Sequence, residues 1–160
     1  MSVGRIGADL APPEEIRLGG IFLRFLIDGP SSGAPLSIGA PLSMFEMSVE
    51  PGAKVPLPHH HEGFDETIYG LSGVLRMMRD GKAFDVGPGD WLSIPRGAVH
   101  GFENSAADVA RVLVVITPGV FGAPYFRDLA ALLAAGGPPD PQAFAAVMLR
   151  YGLIPAPPAT

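Results

Sequence analysis

Cysteine is absent from this 160-residue chain, and charged residues make up only 17% of it. Without cysteine the chain has no disulfides, no thiolate metal ligands and no thiol nucleophile. Long hydrophobic runs are also missing, because the longest charge-free stretches, Gly29–Phe45 and Val112–Phe126, are interrupted by proline and glycine. The first residues contain no apolar stretch of signal-peptide length. We therefore expect a cytoplasmic protein with no membrane partner.

Basic residues are scarce, with 11 Lys and Arg against 16 Asp and Glu and a net charge of −5. Nucleic-acid binding requires clustered basic side chains that displace counterions, so we expect no nucleic-acid partner. The length and the 48% hydrophobic content suit one domain, residues 1–160, with a sizeable core. The 21 glycines and 18 prolines, about twice the usual frequency, predict frequent turns and few long helices.

Short apolar segments separated by turn residues predict an all-β domain. Phe45, Met47 and Val49 alternate with other residues at the period of a half-buried strand. Asp80-Gly81 is a strong hairpin signal. Many short strands at close spacing are typical of an antiparallel sandwich or barrel. The predicted strands are Ile21–Ile27, Met44–Val49, Glu66–Leu71, Val74–Arg79, Lys82–Val86, Trp91–Ile94, Val99–Asn104 and Val109–Thr117.

The segment after Pro118 favours helices, over residues 121–152 in all. Leucines and aromatic residues at helical spacing predict one helix over Tyr125–Ala135, ended by two glycines. Asp140 followed by Pro141 is an N-cap signal for a second helix. We expect both helices, with Phe121, Tyr125 and Phe126, to pack on the outside of the barrel rather than to cap its mouth. Residues 1–15 are expected to be a loose leader, and the tail from Pro155 to be frayed.

All four histidines fall in two short segments, His59–His61 and His100. Side chains two apart on a strand face the same way, so His59 and His61 share one side, whereas His60 is expected at the surface. A hairpin turn returns Glu66 beside the histidine pair. Three imidazoles and one carboxylate predict a site for a divalent transition metal, namely Fe, Mn, Ni, Cu, Zn or Co. The lack of sulfur argues against a structural zinc site.

These segments resemble the two sequence motifs of the cupin superfamily, over residues 40–117. In the first motif, His59-x-His61 is followed after four residues by Glu66 and after six more by Gly73. Six residues rather than the family's five precede the first histidine after Gly52, an addition that a bulge could absorb. The second motif matches at every position, through Gly89, Pro95, Gly97, His100 and Asn104.

The resemblance is to small single-domain bacterial cupins of the quercetinase-like kind, and it implies a jelly-roll barrel, or double-stranded β-helix. It implies that His59, His61, Glu66 and His100 bind one metal ion inside one mouth of the barrel. It also implies a homodimer formed through the outer sheet and an exchanged N-terminal strand, for which Ile21–Ile27 is a suitable apolar edge.

Strand alternation around the histidines predicts an apolar substrate cavity with few polar groups besides the metal. Gly70, on the face of Glu66, is expected to leave room for a ligand. Glu66 is either a metal ligand or, partly released, a base for the substrate. The predicted walls of the cavity are Phe45, Met47, Phe64, Ile68, Met78 and Phe102.

Three functions remain open at this point. The first is a metal-dependent dioxygenase that acts on a small phenolic or enolic substrate. The second is a non-redox lyase or isomerase in which the metal serves only as a Lewis acid. The third is a binding module without chemistry, since one fold supports many functions.

Overall fold

The computed structural model describes residues 12–31, 42–55, 57–134 and 140–156. Within these ranges the chain is mostly β-structure, with two helices near its C-terminal end. The strands are β1 (Glu14–Leu18), β2 (Ile21–Ile27), β3 (Ser43–Val49), β4 (His59–His61), β5 (Asp65–Ser72), β6 (Leu75–Arg79), β7 (Lys82–Val86), β8 (Trp91–Ile94), β9 (His100–Glu103), β10 (Ala110–Thr117) and β11 (Leu153–Pro155). The helices are α1 (Ala123–Ala134) and α2 (Pro141–Arg150).

The strands form two antiparallel sheets that make up a jelly-roll sandwich. One sheet has the order β1-β2-β3-β10-β5-β8, and the other has the order β11-β4-β9-β6-β7. Consecutive strands along the chain often lie in different sheets, as when β4 leads into β5 and β9 leads into β10. The all-β jelly-roll class predicted from the sequence is confirmed.

Alternation of side chains decides which face of each strand enters the core. In β10, Val112, Val114 and Ile116 are almost completely buried, whereas the residues between them face outward. Phe45 and Met47 on the neighbouring β3 are buried by the same alternation. Because period 2 is the geometry of a strand, these inward rows meet between the sheets and form one core.

The two outermost strands of the chain differ from the sequence-based expectation. Glu14 and Glu15 belong to β1, which pairs with β2, so this part of the expected leader is a strand. Pro155 belongs to β11, and the next residue, Ala156, donates a backbone hydrogen bond to the carbonyl of Pro58 at 2.8 Å. β1 forms a short hairpin with the next strand, β2, whereas β11 pairs with β4, which is distant in sequence and is not revealed by local patterns. The rest of the expected leader and tail lies outside the described residues.

The prediction that Ile21–Ile27 is a free sheet edge is wrong, because β2 pairs with β1 on one side and with β3 on the other. In the part of the chain that the structure describes, β1 and β8 are the edges of this sheet. A strand exchange through β2 would therefore first require β1 to leave.

The second helix begins as predicted, with the Asp140 side chain accepting a hydrogen bond from the backbone N–H of Gln142 at 3.0 Å. The first helix starts two residues earlier than expected, at Ala123, whose N–H donates to the Asp28 carboxylate at 3.0 Å. Neither helix has the length and apolar character needed to span a bilayer.

Gly70 is explained by backbone packing rather than by space for a ligand, which corrects the expectation for this residue. Its N–H donates to the carbonyl of Asp90 at 2.9 Å, and its carbonyl accepts from the N–H of Gly89 at 3.0 Å. These bonds bring the 87–90 turn so close that a Cβ on Gly70 would overlap the carbonyl oxygen of Gly87. Only glycine permits this approach.

Replacing Gly70 with alanine should lower the free energy of unfolding by about 3 kcal/mol, because backbone atoms of the 87–90 turn must shift. Urea denaturation of the purified protein measures the change. Gly63→Ala is the matched control, since a Cβ there meets nothing within 4 Å and no positive φ is required. Equal unfolding free energies for the two variants would contradict this account.

Candidate metal centre

Three strands position the four predicted ligands. His59 and His61 lie on β4 with buried side chains, and His100 begins β9 directly opposite His59. Glu66 is the second residue of β5, in the other sheet, and the short turn after β4 carries the chain across. The imidazoles therefore come from one sheet and the carboxylate from the other, and they meet between the layers.

His61, Glu66 and His100 converge on one point. The Nε2 atoms of His61 and His100 each lie 3.3 Å from the same oxygen, Oε2 of Glu66. One donor atom from each of the three residues lies within 4.8 Å of the other two. These side chains come from separate strands yet present a compact set of two nitrogens and one oxygen, which suits a divalent transition metal.

Each inward imidazole is held by a backbone carbonyl through its Nδ1 atom. The acceptor for His59 is Leu57 at 3.1 Å, and the acceptor for His100 is Ala98 at 3.0 Å. His61 uses the carbonyl of Phe64 at 2.8 Å, and the Phe64 ring also stacks on its imidazole. With Nδ1–H donating to a carbonyl, Nε2 is the nitrogen left to bind a metal, an arrangement typical of metal-ligating histidines.

His59 lies beside this group without belonging to it. Its ring centroid is 4.5 Å from that of His100, and its exposed fraction is only 9%. The compact set of donors within 4.8 Å consists of the other three residues. The role of His59 as a fourth ligand therefore stays a prediction, although its Nδ1 bond leaves Nε2 free in the same way.

The donor set needs a cation for an electrostatic reason. A neutral imidazole that donates through Nδ1 presents a lone pair at Nε2. Two such lone pairs would face one carboxylate oxygen, which offers only further lone pairs. A proton or a metal ion between these atoms removes the repulsion, so the arrangement fits a bound metal.

The pKa values follow from the same geometry. In the metal-free protein a proton at Nε2 takes the place of the metal. Burial alone would raise the pKa of Glu66, but hydrogen bonds from His100 and His61 outweigh it and hold this pKa well below its usual range. Burial disfavours protonated His100, yet the bond to Glu66 raises its pKa above the ordinary value. Burial, aided by the charge of His100, lowers the pKa of His59 to about 4. Glu66 is thus ionised and His59 neutral at pH 7, and the bond to Glu66 favours the protonated form of His100.

A cavity of about 90 Å³ opens directly onto these side chains. Among the described residues, the polar side chains that line this cavity are those of the three histidines, Glu66 and Tyr125. The apolar lining residues are Leu18, Ile21, Phe45, Met47, Val55, Phe64, Met77, Phe102, Val114, Phe121, Phe126, Leu129 and Leu153. This is an apolar chamber with the candidate metal centre in its wall.

The predicted cavity walls are placed unevenly. Phe45, Met47, Phe64 and Phe102 line the cavity. Ile68 is fully buried but packs in the core without reaching the cavity. The prediction that Met78 lines the cavity is wrong. The inward-facing residues of β6 begin with Leu75, so Met77 reaches the cavity and Met78 is 40% exposed. A one-residue error in strand phase exchanges the two faces.

Helix α1 and the residues before it form a wall of the cavity, contrary to the expectation that they pack only on the outside. Phe121, Tyr125, Phe126 and Leu129 all line it. The Phe121 ring stacks on Phe64, with centroids 5.1 Å apart, and so continues the stack that begins at His61. In the sequence, the run of aromatic residues near 121–126 was the signal that could have indicated this wall of the cavity.

His60 is half-buried rather than at the surface. It faces away from the other two histidines and pairs with Ile154 of β11, the strand that the sequence did not predict. Its Nδ1 atom is buried and has no hydrogen-bond partner among the residues that the structure describes. The covering strand explains the difference from the expectation.

Residues 45–116 match the family model of the cupin domain, Cupin_2. This match, the jelly-roll sheets and the histidine and glutamate positions agree, and residues 45–116 form a cupin domain. Over 71 residues it is 37% identical to quercetin 2,3-dioxygenase of Bacillus subtilis (strain 168). The aligned segment covers 44% of this chain but only 20% of that protein.

Solved structures are similar across a larger part of the chain. A sugar phosphate isomerase from a cupin superfamily of Silicibacter pomeroyi superposes with a TM-score of 0.51 at 30% identity, covering 61% of this chain and 59% of that one. The polyketide cyclase RemF from Streptomyces resistomycificus superposes with a TM-score of 0.52 at 29% identity, covering 73% and 78%. The activities for which these proteins are named differ from one another.

Alanine at His61, Glu66 or His100 should weaken Zn²⁺ binding by at least about 100-fold, because each change removes one of the three converging donors. Competition with a chromophoric chelator measures the affinity. His60→Ala is the matched control, because its imidazole faces the opposite side of β4, and it should leave the affinity nearly unchanged.

His59→Ala, measured in the same way, should weaken Zn²⁺ binding to a comparable extent if its free Nε2 completes the ligand set. Affinities that are equal in wild type and in all of the inward variants would contradict the assignment of this cluster as a metal centre.

The lowered pKa of His59 makes the metal-free protein sensitive to acid. Between the ordinary value of 6.5 and about 4, the unfolded chain binds a proton that the folded chain does not. The free energy of unfolding therefore decreases as the pH is lowered through this window. The loss should reach about 2–3 kcal/mol at pH 4.5. Glutamine does not titrate, so the His59→Gln variant should not show this loss. Urea unfolding of chelator-treated protein at each pH measures the difference.

The neighbouring groups change stability in other windows. The raised pKa of His100 adds stability that is fully present below 6.5 and is lost as the pH rises through that pKa. The lowered pKa of Glu66 adds stability that is lost only below 4.5. His61, Glu66 and His100 are the titratable groups facing His59, and an NMR titration midpoint for His59 near 6.5 would disprove the expected window.

Proposed function

We propose that this protein is a metal-dependent oxidoreductase of the dioxygenase type, acting on a small enolic or phenolic substrate. The observation that carries the proposal is the pairing of a nitrogen and carboxylate donor set with a cavity that is otherwise apolar. The 37% identity to a segment of a quercetin dioxygenase supports the same reaction class.

The metal would be held by His61, Glu66 and His100, with His59 as the proposed fourth ligand. A bound transition metal supplies a Lewis-acidic position for a substrate oxygen and, when redox-active, a means of reaction with O₂. The carbonyl bonds at each Nδ1 keep the imidazoles oriented, so little rearrangement is needed on binding. Fe, Mn, Ni, Cu, Zn and Co all fit donors of this kind.

Glu66 fits the role of ligand better than the role of base. Two imidazoles bond to its Oε2 atom and keep its pKa well below the usual range. A carboxylate with so low a pKa holds a proton poorly, and a general base works best with a pKa near the working pH. For Glu66 to accept a substrate proton, it would first have to leave His61 and His100.

The lining of the cavity favours an apolar substrate with few oxygens. Sugars need many hydrogen-bond partners and acid substrates need a counter-charge, and this lining contains no Arg, Lys, Asn, Gln, Ser or Thr among the described residues. The volume of about 90 Å³ favours a small ligand, and a flavonol would require side chains of α1 to move.

A non-redox reaction at the same centre is the second candidate. The similarity to an isomerase and to a cyclase favours it, because neither kind of reaction is named for the use of O₂. In that case the metal would act only as a Lewis acid and Zn²⁺ would support activity. A binding module without chemistry would use the same cavity but show no turnover.

We also propose that the protein works as a cytoplasmic homodimer. Tyr69, Leu71 and Trp91 are exposed on the outer face of the larger sheet, next to its edge strand β8. Trp91 is 68% exposed, which is high for so large an apolar side chain. A symmetric pair of such faces would cover these residues.

Fe²⁺-loaded protein supplied with acetylacetone, a small 1,3-diketone, should consume one O₂ for each substrate molecule, because a dioxygenase transfers both oxygen atoms to its substrate. An oxygen electrode combined with chromatographic measurement of the diketone gives this ratio. His100→Ala should abolish the consumption by removing a metal donor, whereas His60→Ala should retain it.

Replacing Fe²⁺ with Zn²⁺ separates the candidate reactions, because Zn²⁺ has no redox chemistry. The dioxygenase proposal expects no turnover with Zn²⁺. Conversion of the diketone at an unchanged rate with Zn²⁺ or without O₂ would reject it in favour of the non-redox candidate.

A further inference from the structure

Among the described residues that line the cavity, Tyr125 is the one with a polar side chain that the candidate metal centre does not use. Its side chain projects from α1, and the residue is only 6% exposed. It lines the same cavity as His61, Glu66 and His100. Every other lining residue outside the histidines and Glu66 is apolar.

The Tyr125 hydroxyl has no hydrogen-bond partner within the described part of the chain. Buried tyrosine hydroxyls usually have one, because an unpaired polar group away from water costs free energy. The neighbouring Tyr151 follows the rule, since its hydroxyl donates to Asp128 Oδ2 at 2.8 Å. The Tyr125 hydroxyl lacks a partner but is not sealed off, because among the described residues the one unpaired side-chain atom that is fully buried is His60 Nδ1. The hydroxyl can therefore be reached by another molecule, and Tyr125 lines the cavity.

The surroundings of Tyr125 fix its ring and keep its hydroxyl protonated. Its ring packs against Phe121, Phe126 and Tyr151, with centroids 5.0, 4.9 and 5.7 Å away. Burial raises the pKa of Tyr125 to about 12. At neutral pH the residue is thus a rigid hydrogen-bond donor with no charge.

We propose that the Tyr125 hydroxyl donates a hydrogen bond to the ligand bound in this cavity, so that Tyr125 determines specificity for a second oxygen of that ligand. This inference rests on the proposed function, because the first oxygen of the ligand faces the metal. The ligand is then compact and mostly apolar, with one oxygen at the metal centre and a carbonyl or enol oxygen that accepts from Tyr125. A hydrocarbon or a ligand with a single oxygen would leave the hydroxyl unpaired.

The test measures the binding of acetylacetone to Zn²⁺-loaded protein without O₂, by calorimetry, so that no turnover interferes. Tyr125→Phe removes only the hydroxyl and should raise the Kd about 3- to 10-fold, the range expected for one neutral hydrogen bond. Its affinity for Zn²⁺ should equal that of wild type. Tyr151→Phe, the adjacent control whose hydroxyl faces Asp128, should leave the Kd for acetylacetone unchanged.

Thermal unfolding of the ligand-free variants supplies a second readout. Tyr125→Phe should leave the Tm equal or higher, because the hydroxyl has no partner to lose. Tyr151→Phe should lower the Tm by about 2–4 °C, because it breaks the bond to Asp128. A large drop in Tm for Tyr125→Phe would instead mark a structural hydroxyl and overturn the inference.

The outcomes separate the two proposals. Equal Kd values for wild type and Tyr125→Phe, or equal losses in both tyrosine variants, overturn the role of Tyr125 alone. Tight binding that depends on Tyr125, without O₂ consumption by Fe²⁺-loaded protein, supports the role and rejects the dioxygenase. Failure of Zn²⁺-loaded wild type to bind acetylacetone overturns both the diketone-like ligand and the hydrogen bond to it.

Discussion

The hydrogen bonds from imidazole Nδ1 atoms to backbone carbonyls are the constraint on which the rest of the site depends. They leave the Nε2 atoms of His61 and His100 facing one oxygen of Glu66, 3.3 Å away in each case. Since the carbonyls belong to residues two or three positions along the chain, the orientation is local and needs no long-range adjustment. Strand pairing then has only to bring the three segments together.

The clustering of His61, Glu66 and His100 could be predicted from the sequence because its signals are local and period-based. Alternation put His59 and His61 on one face, and the motif spacing added Glu66 and His100. The same reasoning failed at Met78, where one residue of strand phase exchanged an inward for an outward side chain. It also failed at Gly70, where the limiting contact is with Gly87 in another turn and cannot be seen in the neighbouring residues.

The C-terminal segment contributes more to the site than its composition suggested. Helix α1 supplies a wall of the cavity, and β11 pairs with the strand that carries His59 and His61. Proline and glycine around 136–139 and 155–158 resemble the composition of loops and tails, and this signal hid the return of the chain to the sheet. The return depends on α2, whose Arg150 and the following Tyr151 both contact Asp128 of α1.

The stacked rings of His61, Phe64 and Phe121 lie where two segments of the chain meet in the cavity wall. The donors belong to 59–100, whereas Phe121 and the aromatic residues after it belong to a later segment that makes none of the carbonyl anchors. Exchange of bulk at the later segment can therefore reshape what the chamber admits while the imidazoles keep their orientation. Substitutions in the segment that contains Phe121 would therefore change which ligands fit the cavity and leave the candidate metal ligands in place.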